Sequence, residues 1–176
     1  MKALVVIDMQ NDFITGSLGT PEAVSIVPNV KKKVEEAVTN GDIIVYTRDT
    51  HFGRYLESKE GQKLPVEHCI RNTDGWQIHP DVLPPAGYQK TFTLNKYTFG
   101  SQELPMSLEG IVNLNEIEVV GLCTDICVVS NALILKANFY NTAEVSVDAT
   151  CCAGVTPESH EAALKTMEMC QINVKR

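Results

Sequence analysis

Gly121-Leu122-Cys123-Thr124-Asp125-Ile126-Cys127 joins an apolar run, Ile117 to Leu122, to a second apolar run with helical spacing, Val128 to Ala137. Thr124 is a favoured N-cap residue and Asp125 suits a first helical turn. With Thr124 as cap, Cys127 falls at the third helical position, where unpaired amides and the helix dipole favour a thiolate over a thiol. A reactive cysteine is one reading and a buried structural cysteine is the other; the segment alone leaves both open. Cys123, four residues earlier, is a poor disulfide partner because one residue sits at a strand end and the other inside a helix.

Five further residues have the types such a cysteine needs nearby. Asp8 closes an apolar run at residues 3–7. An Asp there can cap a helix, accept a phosphoryl group or act as a general base. Gln10 stands where a phosphoryl-accepting Asp-x-Asp pair has its second carboxylate, which weakens that alternative. As a base, Asp8 needs a nucleophile, and Cys127 supplies one if their strands are neighbours. Lys96 is a solvated lysine in the ordinary case; placed beside Asp8 and Cys127, its charge would stabilise a thiolate and a developing oxyanion. Asp49-Thr50-His51, with His68 downstream, offers a carboxylate and two imidazoles, a donor set that suits zinc, iron(II) or manganese with positions left open. Spacing alone does not separate this from surface histidines.

The elements that must position these residues follow from hydrophobic patterning. Short apolar runs at 3–7, 43–47, 117–122, 143–147 and 172–174, with a weaker one at Thr91-Phe92-Thr93-Leu94, read as strands covered on both faces. Helical stretches at Val27–Thr39, Thr124–Asn138 and Pro157–Met169 alternate with them. This alternation predicts an α/β fold: a parallel sheet with helices on both faces, in one domain spanning 1–176. In such sheets, sites form beyond the carboxyl ends of the strands. Asp8, Asp49, Lys96, Cys123, Cys127 and Asp148 all fall there. Between Asp49 and Gln89 runs an excursion of weak periodicity that holds His51, His68 and His79, and excursions of that length are usually functional.

The net charge is −7 and no basic cluster exceeds Lys31-Lys32-Lys33, so neither nucleic acid nor an anionic membrane surface is an expected partner. No apolar stretch reaches membrane-spanning length. The first eight residues read as a buried strand and not as a leader. Six cysteines with no paired zinc spacing predict free thiols in a reducing cytoplasm. A nucleotide-binding module is disfavoured because no glycine-rich loop follows the first strand.

Several segments, in order along nearly the whole chain, resemble the isochorismatase-like cysteine hydrolases, and nicotinamidases among them. Asp8-Met9-Gln10-Asn11-Asp12-Phe13 is similar to their opening motif and Thr47-Arg48-Asp49-Thr50-His51 to their metal segment. His68-Cys69-Ile70-Arg71-Asn72-Thr73-Asp74-Gly75 with His79-Pro80 is similar to their His-Cys stretch, and Gly121 to Cys127 to their nucleophile loop. The resemblance implies a Rossmann-like three-layer αβα domain whose six-stranded parallel sheet has order 3-2-1-4-5-6. It implies a triad of Asp8, Lys96 and Cys127, and a cis peptide between Leu122 and Cys123 that aims the Cys123 and Cys127 amides into an oxyanion hole. It implies one divalent metal, zinc first and iron or manganese next, on Asp49, His51 and His68, with Glu60 as fourth ligand and Glu57 as its rival. Phe13 would wall the substrate pocket.

The implied activity is hydrolysis of a small amide, nicotinamide first, by a homo-oligomer. The rivals are a carbamoyl or ureido amidase and a non-catalytic metal-binding subunit. Two segments depart from the family pattern at the pocket: Leu64-Pro65-Val66-Glu67-His68 lacks the tryptophan usual before the metal histidine, and the Lys96 segment is short. Trp76, Tyr97 or Phe99 would have to compensate.

Overall fold

The computed structural model describes residues 1–176. Its sheet has six parallel strands in the order β3-β2-β1-β4-β5-β6. In chain order these are β1 (Lys2–Ile7), β2 (Ile43–Asp49), β3 (Thr91–Lys96), β4 (Glu116–Leu122), β5 (Glu144–Ala153) and β6 (Asn173–Lys175). Side chains alternate between the two faces of each strand. Ala3, Val5 and Ile7 join one core with Ile117, Val119, Leu135 and Leu164; Leu4 and Val6 join another with Ile26, Val30 and Val34. Burial on both faces is why β1 is continuously apolar from Ala3 to Ile7 and why β4 is apolar apart from Glu116 and Glu118.

The helices are α1 (Asn11–Ile14), α2 (Pro21–Asn40), α3 (Glu103–Glu109), α4 (Val129–Asn138) and α5 (Pro157–Met169). α2 starts six residues before the Val27 expected from periodicity. Its real start is Thr20, whose side chain accepts from the Ala23 amide with Pro21 in the first turn. Pro28, inside the helix, hid that start because proline ordinarily breaks a helical pattern. α5 has the expected bounds, and Thr156 and Ser159 close a reciprocal capping box. β5 runs to Ala153 rather than Val147, through Asp148 and Thr150. Asp148 accepts from Thr150 and pairs with Lys33 at 2.7 Å, which lets a polar stretch remain in the sheet.

One charge lies inside the β4 strand. Glu118 is fully buried and meets Lys2 at 2.6 Å, Lys175 at 2.7 Å and Lys33 at 3.7 Å. Burial works to raise its carboxyl, but the lysines hold it below the ordinary glutamate value, and Lys33 does the same for Asp148. A depressed carboxyl contributes stability that is present above its unfolded pKa and is lost as pH falls through the folded one. The urea midpoint is therefore expected to drop as pH falls below about 4.5, and Glu118→Gln should flatten that dependence. Equal acid sensitivity of wild type and variant would exclude Glu118 as its source.

Candidate active site

Sheet register brings the chemistry to one rim. Ile7 pairs with Gly121 across β1 and β4, so Asp8 emerges beside the turn that carries Cys127. Asp49 pairs with Lys96 across β2 and β3. Gly121 permits the close approach: its φ is 118°, and a Cβ there would overlap the Ile7 carbonyl oxygen. Asp8 itself has φ 46°, and the Gln10 amide bonds back to its carbonyl at 2.7 Å, so the chain turns sharply as it leaves β1. Asp tolerates this left-handed region better than most residues, and such outliers cluster at functional sites.

Lys96 lies at the centre of the group. Its Nζ is 2.7 Å from Asp8 Oδ2, 3.3 Å from Asp49 Oδ1 and 3.4 Å from Cys127 Sγ. Asp8, Lys96 and Cys127 are 0%, 2% and 5% exposed, so these charges interact with little solvent screening. Burial opposes the Lys96 charge, but Asp8, Cys127 and Asp49 hold its pKa well above the usual lysine value. Burial raises the Asp8 carboxyl against the pull of Lys96. Burial and then Asp8 push the Cys127 thiol well up, and Lys96 only partly offsets them. Burial and Asp8 thus work against the thiolate that first-turn placement favours, and the raised Asp8 carboxyl beside Cys127 suits proton transfer during reaction.

The nucleophile turn also differs from the expected α-helical first turn. Residues Thr124–Val128 form a π-helical turn before α4, and the residue preceding it is Cys123. Thr124 caps nothing; its hydroxyl meets His160 Nδ1 at 2.8 Å. Asp125 accepts from the Val155 amide and the Ser159 hydroxyl, which ties the turn to the start of α5. The Ile126 and Val128 amides both donate to the Cys123 carbonyl, at 3.1 and 3.0 Å, and the Cys127 amide between them makes no such bond. The Leu122–Cys123 peptide is cis. The Cys123 thiol is pushed up to about 12, chiefly by burial.

Asn131 holds this turn against the neighbouring loop. It is fully buried, donates to the Cys127 carbonyl at 2.7 Å and the Phe99 carbonyl at 3.0 Å, and accepts from the Ser101 amide at 2.9 Å. Asn131→Ala leaves the buried Cys127 carbonyl and Ser101 amide without their partner and is expected to lower stability by about 2 kcal/mol, read from urea unfolding. An unchanged midpoint would mean that water replaces the amide.

Asp49, His51, Glu60 and His68 offer one ligand atom each, all within 4.8 Å of one another. Asp49 Oδ2 is 2.9 Å from His51 Nε2 and 3.6 Å from His68 Nε2; Glu60 Oε1 is 3.7 and 3.8 Å from the same nitrogens. Ligands of a tetrahedral zinc at about 2.0–2.1 Å lie roughly 3.4 Å apart, so the donors fit such an ion in both chemistry and spacing. His68 Nδ1 bonds the Val66 carbonyl at 2.8 Å, which orients Nε2 toward the group. Burial works to raise the Asp49 carboxyl, but His51, His68 and Lys96 hold it far below the ordinary range. The excursion reaches here because the His51 amide donates to the Cys69 carbonyl at 2.9 Å and the Arg71 amide to the His51 carbonyl at 2.8 Å. Glu57 is turned away in an exposed pair with Arg54, and His79 accepts from the Asp81 amide in a separate short turn.

A cavity of about 660 Å³ opens over Cys127, Asp49 and His68, with Phe13, Tyr97 and Phe99 in its wall. Trp76 does not replace the missing pocket tryptophan. It is buried elsewhere, donates to the Thr50 hydroxyl at 2.8 Å and carries the Arg48 guanidinium 3.6 Å above its ring. Sequence reasoning missed three positioning residues: Asn131, Thr47 and Gln10. The Thr47 hydroxyl donates to Asp8 Oδ1 at 2.7 Å. Gln10 accepts from the Asp49 amide at 2.7 Å and donates to the Asp49 carbonyl at 2.9 Å. Each is a polar residue within or beside an apolar stretch, which is the signal that could have exposed them.

An isochorismatase domain model matches residues 2–175. The nicotinamidase/pyrazinamidase of Mycobacterium tuberculosis is 27% identical over 99% of this chain and 98% of its own length. A pyrazinamidase of Pyrococcus horikoshii, solved in complex with zinc, superposes with a TM-score of 0.86 at 28% identity, covering 99% of this chain and 98% of that one. An N-carbamoylsarcosine amidase of Thermoplasma acidophilum gives 0.80 at 27% identity, covering 99% and 95%.

Proposed function

This chain belongs to the isochorismatase domain family, and on that premise we propose that it is a metal-containing cysteine amidohydrolase that converts nicotinamide to nicotinate and ammonia through a Cys127 thioester. The observation that carries the reading is the buried Asp8–Lys96–Cys127 contact, of which Cys127 lines a cavity that also reaches Asp49 and His68. Asp8 takes the Cys127 proton as Sγ attacks the amide carbon. Lys96 balances the negative charge that forms, and the Cys123 and Cys127 amides receive the oxyanion. The C–N bond then breaks as Asp8 returns the proton to nitrogen, and ammonia leaves. Asp8 next takes a proton from water, whose oxygen attacks the thioester carbon. The C–S bond breaks, the acid departs and the proton returns to Cys127. Asp49, His51, Glu60 and His68 would hold a divalent ion, zinc by the donor set, that supplies an electrophilic anchor for a ring nitrogen when bound.

Carbamoyl or ureido amides are the second reading, supported by the likeness to the Thermoplasma amidase. Six free cysteines support a reducing, cytoplasmic setting, and no helix is long and apolar enough to cross a membrane. The test is an acid-quenched turnover of the metal-loaded protein with nicotinamide and with N-carbamoyl amino acids in parallel. Intact mass, peptide mapping and metal analysis are made on each sample. The expected result is an acyl adduct on Cys127, formed from nicotinamide with loss of ammonia. Steady ammonia release with the adduct on Cys123, or with no covalent species, would overturn the thioester.

A further inference from the structure

The cavity extends well past what a carboxamide needs, and its outer wall carries two lysines. Lys59 and Lys63 both line it, four residues apart in the excursion that supplies Glu60 and His68. Both are exposed, and neither has a carboxylate within ion-pair distance. The two carboxylates in the same lining are engaged elsewhere: Asp49 with Lys96 and His51, Glu60 facing His51 and His68. The rest is mainly apolar, with Phe13, Leu18, Leu64, Phe99 and Val155 among it. Lys59 and Lys63 are thus the unpaired charges of a mainly apolar lining. A volume of about 660 Å³ is also in the range of sites that enclose ligands much larger than one six-membered ring.

We infer that Lys59 and Lys63 form an anion subsite, and that the preferred substrate is an amide whose apolar body carries a carboxylate on the side away from the scissile bond. This rests on the amidohydrolase reading and extends it to a substrate class. Two exposed contacts each contribute a few-fold, and both weaken with salt.

A matched pair tests it: nicotinamide, and nicotinamide carrying a carboxylate at ring position 5. The quantity read is the ratio of their kcat/KM values for the metal-loaded protein. The expected ratio favours the carboxylated amide by about ten-fold at low salt, moves toward one in 0.5 M potassium chloride, and falls about ten-fold in Lys59→Ala/Lys63→Ala. A wild-type ratio at or below one overturns the subsite, as does a ratio that the double substitution leaves unmoved. Calorimetric binding of the same two compounds to metal-loaded Cys127→Ser gives the comparison without turnover. If neither amide is hydrolysed, the reaction fails while the binding ratio still decides the subsite; equal binding of the two compounds overturns it.

Discussion

Cys127→Ala is expected to lower ammonia release from nicotinamide by roughly 10⁴–10⁶-fold, the scale seen when a covalent nucleophile is removed. On the proposed mechanism Cys127 is the group that forms the acyl intermediate, because Cys123, the other cysteine lining the cavity, lies outside the Lys96 contact. Cys123→Ala should therefore lose far less, since only a backbone amide is asked of that position. The fold should tolerate the Cys127 change well. Alanine removes one small group, and Lys96 retains both Asp8 and Asp49. Circular dichroism and the urea midpoint check that the loss is chemical. A folded Cys127→Ala protein that releases ammonia at the wild-type rate would rule out Cys127 as the nucleophile.

The layers of this fold were legible where burial is simple. β1 and β4 are covered on both faces, so their apolar runs announce them, and α5 has its proline and cap in the expected places. What stayed hidden depends on partners far away in sequence. Asp148, where the apolar run of β5 stops, is accommodated in the strand by Lys33 on α2. The early part of α2 is masked by Pro28, and short α3, although Leu104 and Leu108 are fully buried, lacks the repeat length that periodicity needs.

The candidate site was legible as a set of residue types at strand ends, because the carboxyl rim of a parallel sheet gathers them whatever lies between. Its electrostatics were not. First-turn placement argued for a low-pKa Cys127, yet burial and Asp8 dominate, and neither can be weighed before the neighbours of Cys127 are known. Glu60 and Glu57 were indistinguishable by spacing; only the turn at Tyr55–Glu57, which sends Glu57 to Arg54, separates them.

Lys96→Met is expected to have the largest structural cost of any single change at the site. Methionine keeps much of the side-chain volume and removes the charge, so the effect reads the ion pairs and not a cavity. Asp8 and Asp49 would then face each other in a buried space with their shared cation gone. Removing one partner of a buried ion pair destabilises by about 3–5 kcal/mol, because the remaining charge is neither solvated nor paired. The sign of the pH response follows. The Lys96 pKa is raised, so its stabilisation is fully present below the ordinary lysine value and is lost only as pH rises through the still higher folded one; wild type should show no loss from this source near neutrality. In the variant, the lowering influence of Lys96 on Asp8 disappears while burial and Asp49 continue to raise it. Asp8 then holds its proton to higher pH and cannot accept one from Cys127, so the acid limb of kcat/KM moves toward alkaline pH as the rate falls. Bound metal would relieve part of the repulsion at Asp49, so the stability loss should be larger after chelation than before it. A variant with wild-type stability and an unshifted acid limb would mean that Lys96 neither holds the two carboxylates nor sets the proton affinity of Asp8.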